Sequence, residues 1–176
     1  LLIGPGLKES VWSEQLCELF LSSAERNEDI NIDAGGLYYM KEFGCPSNAI
    51  ITPHPGEAAM LLDCSVEELQ KNRLEAAKEL YKRYNCLIIL KGYKTIVFDG
   101  EAYQCTDGGP ALSTAGTGDV LAGLIGSFLA QGLSKMDAAR FSVAIHSAAG
   151  DKFTKNKGVR GLTATKLIKI INEEML

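Results

Sequence analysis

The chain has 176 residues, of which 46% are hydrophobic and 23% charged, and its formal net charge is −4 at pH 7. This length suits one domain with a substantial buried core. A mildly acidic chain without a clustered basic arm argues against nucleic acid as the main partner. No apolar run approaches the roughly 20 residues that span a bilayer, and no signal peptide is visible, so we expect no membrane association and a cytoplasmic location.

The cysteines are odd in number and far apart, and no two of them form a C-x-x-C pair. This pattern predicts reduced thiols, mostly packed inside, rather than a disulfide framework or a zinc site.

The apolar residues 1–3 and the glycine turn at 4–6 are typical of the end of a buried strand. No initiator Met precedes them, so we expect residues 1–176 to form a single domain that is the C-terminal portion of a larger one, with its N-terminal part missing. A helix is predicted over 9–23, where apolar residues recur at helical spacing.

The middle of the chain alternates between strands and helices. Strands are predicted at 31–33 and 49–52, and Gly35-Gly36 is expected to break the chain between them. Two prolines stop the second strand, and a short helix is predicted at 56–62. A capping box then begins a helix predicted over 65–84.

Residues 86–90 are all apolar, which predicts a strand buried on both faces. A hairpin is predicted from 95–98 and 101–104 around Asp99-Gly100. The rest is predicted to be helical, at 117–131, 135–155 and from 163 to the end. The alternation indicates an α/β fold with a mainly parallel central sheet flanked by helices, whose ligands bind beyond the carboxyl ends of the strands.

The most informative segment, 113–123, reads S-T-A-G-T-G-D-V-L-A-G and turns from loop into apolar helix. A helix start offers unpaired N–H groups and a positive dipole end, and Gly116 and Gly118 would let the backbone approach a phosphate. Thr117 between them is counted as a further nucleotide contact. Asp119 would repel that anion, a cost that is tolerable if the carboxylate takes a proton from the group that attacks phosphorus or holds a bridging cation. The alternative is that Asp119 is a plain helix cap.

The prolines of T-P-H-P-G-E at 52–57 would present His54 and Glu57 rigidly. His54 could hydrogen-bond a substrate amide or hydroxyl, or simply be satisfied by backbone carbonyls. Glu57 could reach a metal ion through water, or only stabilise the start of the next helix.

A turn, Lys91-Gly92-Tyr93-Lys94-Thr95, follows the buried strand. Its lysines could meet phosphates, its threonine could donate a hydroxyl and its tyrosine could cover a base, although a polar hairpin tip has the same composition.

Other residues are given structural interpretations. His146 is expected to be a packed core residue, and three lysines between 152 and 157 a solvated face. Trp12, Tyr38 and Tyr39 are expected to lie in the core or in a groove.

Taken together, the motifs resemble the ADP/ATP-dependent NAD(P)H-hydrate dehydratase family, which has the ribokinase-like layered fold. The matching pieces, in the family's order, are G-P-G-L at 4–7, D-A at 33–34, T-P-H-P-G-E at 52–57, L-K-G at 90–92 with Thr95, G-T-G-D-V-L-A-G at 116–123 and G-L-T-A at 161–164.

The resemblance implies a hydro-lyase that repairs hydrated NADH or NADPH with ADP or ATP and Mg²⁺, most similar to the ADP-using bacterial type. It implies that Gly6, His54 and Asp119 contact the hydrated cofactor. It also implies that residues 91–95 and Gly118 contact the nucleotide, that the chain forms homo-oligomers, and that an N-terminal segment or an epimerase domain accompanies it.

The chain departs from the family pattern at Lys8, Gly35, Gly109 and Lys166, where Gly, Asp, Asn and Asp are usual. Two rival hypotheses remain. The first is a small-molecule kinase of the same fold for a vitamin precursor or sugar, although such enzymes tend to have Asn at the position of His54. The second is a truncated, inactive domain that only binds a nucleotide or a partner chain.

Overall fold

The computed structural model of the chain describes residues 1–23 and 29–174. Within these ranges six strands form one sheet, and their order across the sheet follows the chain. They are β1 (Leu2–Ile3), β2 (Ile30–Ile32), β3 (Ala49–Ile51), β4 (Leu87–Leu90), β5 (Ile96–Phe98) and β6 (Ala102–Gln104). Strands β1 to β4 pair in parallel, whereas β5 and β6 continue the sheet as an antiparallel hairpin. The predicted α/β sheet is therefore confirmed.

Eight α-helices lie in the described part of the chain. They are α1 (Val11–Ser23), α2 (Gly35–Phe43), α3 (Pro55–Leu62), α4 (Val66–Lys71), α5 (Arg73–Tyr84), α6 (Thr117–Ala130), α7 (Lys135–Lys157) and α8 (Ala164–Glu174). A short 3-10 turn, Pro110–Leu112, precedes α6. The last two residues of the predicted final helix lie outside the described residues.

Helices cover both faces of the sheet, as the alternation of side chains along β4 shows. Ile88 and Leu90 pack into a core with α1, α2, α3 and α5. Leu87 and Ile89 point to the other face and pack with α6 and α7. Because successive strand residues face opposite ways, an all-apolar strand needs helices on both sides. The fold is a three-layer α/β/α arrangement.

Helix α8 adds a smaller third cluster at one end of the molecule. Its Leu167 and Ile171 are buried together with Leu162 and with Phe153 of α7. Val120 and Leu124 of α6 pack against the same cluster. The start of α6 is thus held between the sheet and α8.

The prediction that Gly35-Gly36 breaks the chain is wrong, because α2 begins there. A Cβ on Gly35 would lie 2.4 Å from the carbonyl oxygen of Leu7, and one on Gly4 only 1.6 Å from that of Asp33. The glycines therefore serve the close packing of two loops rather than the end of an element.

The helix predicted over 65–84 is in fact two helices. Asn72, with φ −146°, ends α4, and its side chain accepts a hydrogen bond from the amide of Glu75 at the start of α5. The expectation of core or groove positions fails for Trp12 and Tyr38, which are 66% and 51% exposed, and holds for Tyr39, which is buried.

The cysteines are free thiols, and Cys17, Cys86 and Cys105 are buried, as the sequence predicts. In the described part of the chain, no helix has the length and apolarity needed to cross a bilayer.

Candidate functional site

The site lies where β2, β3 and β4 end. Asp33, Thr52 and Lys91 are the first residues after these strands, and each is brought to the same edge by the parallel pairing. In a parallel sheet the carboxyl ends of neighbouring strands meet at one rim, which is where ligands bind in layered α/β folds. The start of α6 faces this rim.

A buried ion pair joins two of these strand ends. The Lys91 ammonium lies 2.7 Å from Oδ1 of Asp33, and the same oxygen accepts a 2.7 Å hydrogen bond from the hydroxyl of Thr52. The Asp33 side chain is 1% exposed and that of Lys91 17%. A carboxylate at this depth is stable because both partners satisfy it. The sequence marks Asp33 only as part of the D-A motif at 33–34, and no role is predicted for it.

The Lys91 ammonium also reaches the start of α6. A Cβ on Gly118 would lie 3.4 Å from Nζ of Lys91, and an oxygen of Glu57 lies 3.8 Å from it. A fixed positive charge therefore stands next to the helix start that the sequence marks as a phosphate site. Both the charge and the helix dipole favour an anion there.

The turn that carries Lys91 is held from α5 by Arg73. Its guanidinium donates 3.1 Å hydrogen bonds to the carbonyls of Leu90 and Lys91. Burial lowers the pKa of Arg73. No signal in the sequence marked this residue, because its role depends on α5 packing beside β4.

His54 and Glu57 form a reciprocal cap at the start of α3. Nδ1 of His54 accepts hydrogen bonds from the amides of Gly56 (3.0 Å) and Glu57 (3.3 Å), and the Glu57 carboxylate accepts from the His54 amide at 2.7 Å. The other oxygen of Glu57 lies 3.2 Å from Nε2 of His54. The alternative expected for Glu57, stabilisation of a helix start, is thus present. The structural alternative for His54 is a side chain bonded to backbone carbonyls. Its Nδ1 is instead bonded to backbone amides.

The loop before α6 is fixed by hydrogen bonds, and no side chain caps it. Gly116 is the N-cap residue with φ +85°, a conformation that favours glycine. The Thr117 hydroxyl lies 2.6 and 2.8 Å from the carbonyls of Leu112 and Thr114. The first N–H groups of a helix have no partner within it, so this start leaves donors for a ligand. We call residues 116–118 the anion loop.

His146 supports the anion loop from α7. Its Nε2 lies 2.8 Å from the carbonyl of Thr117, and the residue is 8% exposed. Burial lowers the pKa of His146, which favours the neutral ring. Because a carbonyl oxygen only accepts, Nε2 is the donor in this contact. The predicted structural role agrees with this contact.

Asp119 is the third residue of α6 and is exposed. It makes no hydrogen bond or ion pair with another described residue, and it does not cap the helix. The alternative of a plain helix cap is therefore wrong, because the cap position belongs to Gly116. A carboxylate in the first turn is favoured by the helix dipole and here remains available to a ligand.

A cleft of 560 Å³ opens beside this arrangement. That volume is within the usual range for small-molecule sites, about 300–1,000 Å³. Seven of the predicted site residues line it together: His54, Lys91, Gly92, Tyr93, Thr95, Thr117 and Gly118. Its remaining walls are partly apolar, with Leu121 and Val143 at the sheet side, and partly polar.

The other predicted site residues lie outside the lining of the cleft. Gly6 sits in the turn after β1 with φ +79°, and no atom within 4 Å would meet a Cβ there. Lys94 is exposed, with its ammonium 5.5 Å from the centre of the Tyr93 ring. Gly116 packs against Ala164, and Asp119 follows the lining residue Gly118. The cleft thus gathers most of the predicted nucleotide residues, and the predicted cofactor contacts Gly6 and Asp119 lie outside it.

Sequence reasoning missed part of the cleft. Asp107, Gly108 and Ser147 line it, and the amide of Gly108 donates to Asp151 at 2.9 Å. A Cβ on Gly108 would lie 3.1 Å from the hydroxyl oxygen of Ser147. The φ of +94° at Gly108 could have been suspected from Gly108-Gly109, but not its contact with α7.

Comparison with known proteins agrees with this geometry. The family model described as NAD(P)H-hydrate dehydratase matches residues 1–173. A bifunctional NAD(P)H-hydrate repair enzyme from Vibrio cholerae is 41% identical over 175 residues, covering 98% of this chain and 35% of that protein. An ADP-dependent (S)-NAD(P)H-hydrate dehydratase from Neisseria meningitidis is 42% identical over 127 residues, covering 70% of this chain and 43% of that protein.

Among solved structures, the ADP/ATP-dependent NAD(P)H-hydrate dehydratase from Bacillus subtilis, co-crystallised with ATP/Mg²⁺, is similar with a TM-score of 0.87 and 32% identity. The alignment covers 97% of this chain and 61% of that one, so the chain spans less than two thirds of its relative. A ribokinase-like superfamily protein from Enterococcus faecalis aligns over 97% of this chain and 61% of its own, with a TM-score of 0.85 and 28% identity. The chain belongs to the NAD(P)H-hydrate dehydratase family and has its ribokinase-like fold.

Proposed function

We propose that the protein to which this chain belongs dehydrates hydrated NADH or NADPH, using ADP or ATP to phosphorylate and expel the ring hydroxyl. One observation carries the proposal: an exposed Asp119, without a partner among the described residues, stands in the first turn of a helix that no side chain caps and whose anion loop borders a cleft of 560 Å³. The names of the family model and of the relatives, including a structure obtained with ATP/Mg²⁺, support the same reaction.

The chemistry requires a better leaving group than hydroxide. In the proposed reaction Asp119 takes the proton from the ring hydroxyl, and that oxygen attacks the terminal phosphorus of the nucleotide. The bond from this phosphorus to the bridging oxygen breaks, which releases AMP from ADP or ADP from ATP. The ring nitrogen's lone pair then expels phosphate from the carbon and leaves an iminium ion. The adjacent ring carbon loses a proton to the released phosphate or to water, and the dihydronicotinamide is restored.

The anion loop and Lys91 would stabilise the transferring group. Backbone N–H groups at the start of α6 would donate to a terminal phosphate, and the Lys91 ammonium is held next to Gly118 by Asp33. Groups fixed before the reaction stabilise developing charge without reorganising, which is a large contribution in such sites. We assign the nucleotide to the cleft, with residues 91–95 as its contacts.

The hydrated cofactor would then lie on the Asp119 side of the anion loop. We assign its contacts to Gly6, His54 and Asp119. Nδ1 of His54 is already used by two amides, so Nε2, now 3.2 Å from a Glu57 oxygen, is the atom that remains for a substrate. The exposed fraction of the His54 side chain, 55%, leaves room for this contact.

Mg²⁺ would arrive with the nucleotide phosphates. The described residues include no group of three or more His, Cys, Asp or Glu side chains that could hold a metal ion. Glu57 lies next to Lys91 at the rim and is placed to reach a phosphate-bound ion through water. The ion would supply charge neutralisation for the terminal phosphate. The use of ADP in preference to ATP, homo-oligomers, an N-terminal segment or epimerase domain, and a cytoplasmic location stay predictions.

The test is the substitution Asp119→Asn, which keeps the shape but removes the base. We expect kcat for dehydration to fall at least about 100-fold, as for loss of a general base. Nucleotide affinity, measured by calorimetry, should change little because Asp119 is outside the cleft lining.

The matched control is Asp137→Asn, since Asp137 is also the third residue of its helix, α7. Both variants are assayed in this chain and in a version extended at its N-terminus, with NADH hydrate, NADPH hydrate and a panel of vitamin precursors and sugars. Near-normal turnover by Asp119→Asn would refute the role, and a stable phosphorylated product would favour the kinase hypothesis. Nucleotide binding without turnover in the extended version would favour the inactive domain.

A further inference from the structure

A second concave surface lies between the end of α7 and α8, and no residue lines both it and the cleft. This groove encloses 400 Å³ and has Phe153 and Ile170 among its walls. We propose that this groove, called here the basic groove, binds the phosphate groups of a nucleotide or of free pyrophosphate, at a site additional to the cleft. This proposal is independent of the dehydration reaction.

The charge of the groove is opposite to that of the chain. The chain carries a net charge of −4, but among the described residues that line the groove five side chains are cationic and one, Glu173, is a carboxylate. The cations are Lys152, Lys157, Arg160, Lys166 and Lys169. Like charges gathered around one concavity repel one another and raise the local concentration of anions. A multivalent anion would relieve this repulsion.

The helix dipole explains only part of this cluster. Lys157 is in the last turn of α7, where a cation stabilises the negative end of the helix. Arg160 lies beyond that end, and Lys166 and Lys169 belong to α8. The solvated-face interpretation of the lysines at 152–157 does not account for the convergence of a second element on the same groove.

One cation of the groove is held in place. The ammonium of Lys166 donates a 2.7 Å hydrogen bond to the carbonyl of Gly161 and lies 5.9 Å from the centre of the Phe153 ring. The turn at Gly161 has φ +86°, a conformation that favours glycine. The Lys166 side chain thus has a fixed position. Binding of an anion would therefore cost less side-chain entropy than at a mobile lysine.

Three of the other cations, Lys157, Arg160 and Lys169, have N–H donors that are free or only weakly engaged among the described residues. Lys157 and Arg160 are exposed and make no hydrogen bond or ion pair with another described residue. Lys169 is only weakly engaged, 3.8 Å from Glu173. A guanidinium offers two parallel N–H donors to a phosphate, and ammonium groups complete the charge balance. A diphosphate, with several oxygens and more than one charge, fits this donor set.

The test is a titration of the ¹⁵N-labelled chain followed by NMR, because two glycine amides report the two sites separately. Gly161 reports the basic groove and Gly118 the cleft. Pyrophosphate, ADP and NADP⁺ are added in turn at physiological ionic strength. We expect a saturable shift of the Gly161 amide with at least one of them, and the ligand that acts at the lowest concentration identifies the phosphate source.

The variant K157Q/R160Q should weaken that Gly161 response at least about tenfold, since charged hydrogen bonds are lost, and should leave the Gly118 response to ADP unchanged. The matched control K71Q/K82Q removes two exposed cations from α4 and α5 and should leave both responses unchanged. The proposal is overturned if Gly161 responds saturably to none of the ligands, if K157Q/R160Q binds as tightly as the natural chain, or if both variants weaken binding equally.

Discussion

Two carboxylates at the same rim of the sheet differ in every respect except charge. Asp33 is 1% exposed and accepts hydrogen bonds from Thr52 and Lys91, while Asp119 is exposed and has no partner among the described residues. Asp33 directly follows β2, whereas Asp119 is the third residue of α6. Groups of the protein already donate hydrogen bonds to the buried carboxylate, and the exposed carboxylate is available to a ligand.

The difference separates two roles that sequence motifs do not distinguish. Asp33 neutralises Lys91 and positions its ammonium beside Gly118, so it acts on the site through another residue. Asp119 can accept a proton because no cation in the described chain already binds it. Stability should therefore depend on Asp33 and turnover on Asp119.

The largest expected effect on stability is from Asp33→Ala. It leaves the largely buried Lys91 ammonium with only a Glu57 oxygen at 3.8 Å, and breaking such a pair costs about 3 kcal/mol. Asp119→Asn should change the free energy of unfolding by less than about 1 kcal/mol, the usual range for a charge at a helix start. Urea denaturation at neutral pH measures both. Equal losses in the two variants would contradict the comparison.

A smaller effect on stability is expected from Thr117→Val. This variant tests whether one residue of the anion loop contributes both to stability and to nucleotide binding. The change removes the hydroxyl that satisfies the carbonyls of Leu112 and Thr114, and should cost about 1–2 kcal/mol. The nucleotide KM should rise because the anion loop loses its anchor. The control is Thr154→Val, whose hydroxyl only bonds a carbonyl of its own helix. A lower stability with unchanged KM would show that the loop does not hold the nucleotide.

The smallest effect is a pH dependence carried by His146. Burial keeps its pKa below the ordinary value of 6.5, so the unfolded chain binds a proton more readily than the folded one. Stability from this group is therefore complete above that ordinary value and falls as the pH drops below it. His146→Gln keeps an N–H donor but does not titrate. Its urea midpoint should fall less between pH 7.5 and pH 5 than that of the natural chain, and an identical fall would exclude His146.

The sequence allowed much of the fold to be predicted, because the signals were local. The apolar run at 86–90 and the capping box at Ser65 needed only their neighbours to be interpreted. Where packing between distant segments decided the outcome, prediction failed. Gly35 begins a helix and lies against Leu7, and Asn72 divides one predicted helix into two.

The candidate site shows the same division. Motif order sufficed to propose the anion loop, His54, residues 91–95 and Asp119 as one set. It gave no information about the Asp33–Lys91 pair, whose members are 58 residues apart and meet only because β2, β3 and β4 are neighbours. Arg73 and His146 reach the site from helices whose positions the motifs do not record.

By itself, the sequence determined which residues could do chemistry and which elements carry them, since period, capping and glycine spacing are properties of adjacent residues. Only the tertiary structure decided which charges are already neutralised and which remain for a ligand. That outcome depends on distances between strand ends and helices, and those distances are set by the packing of the whole core.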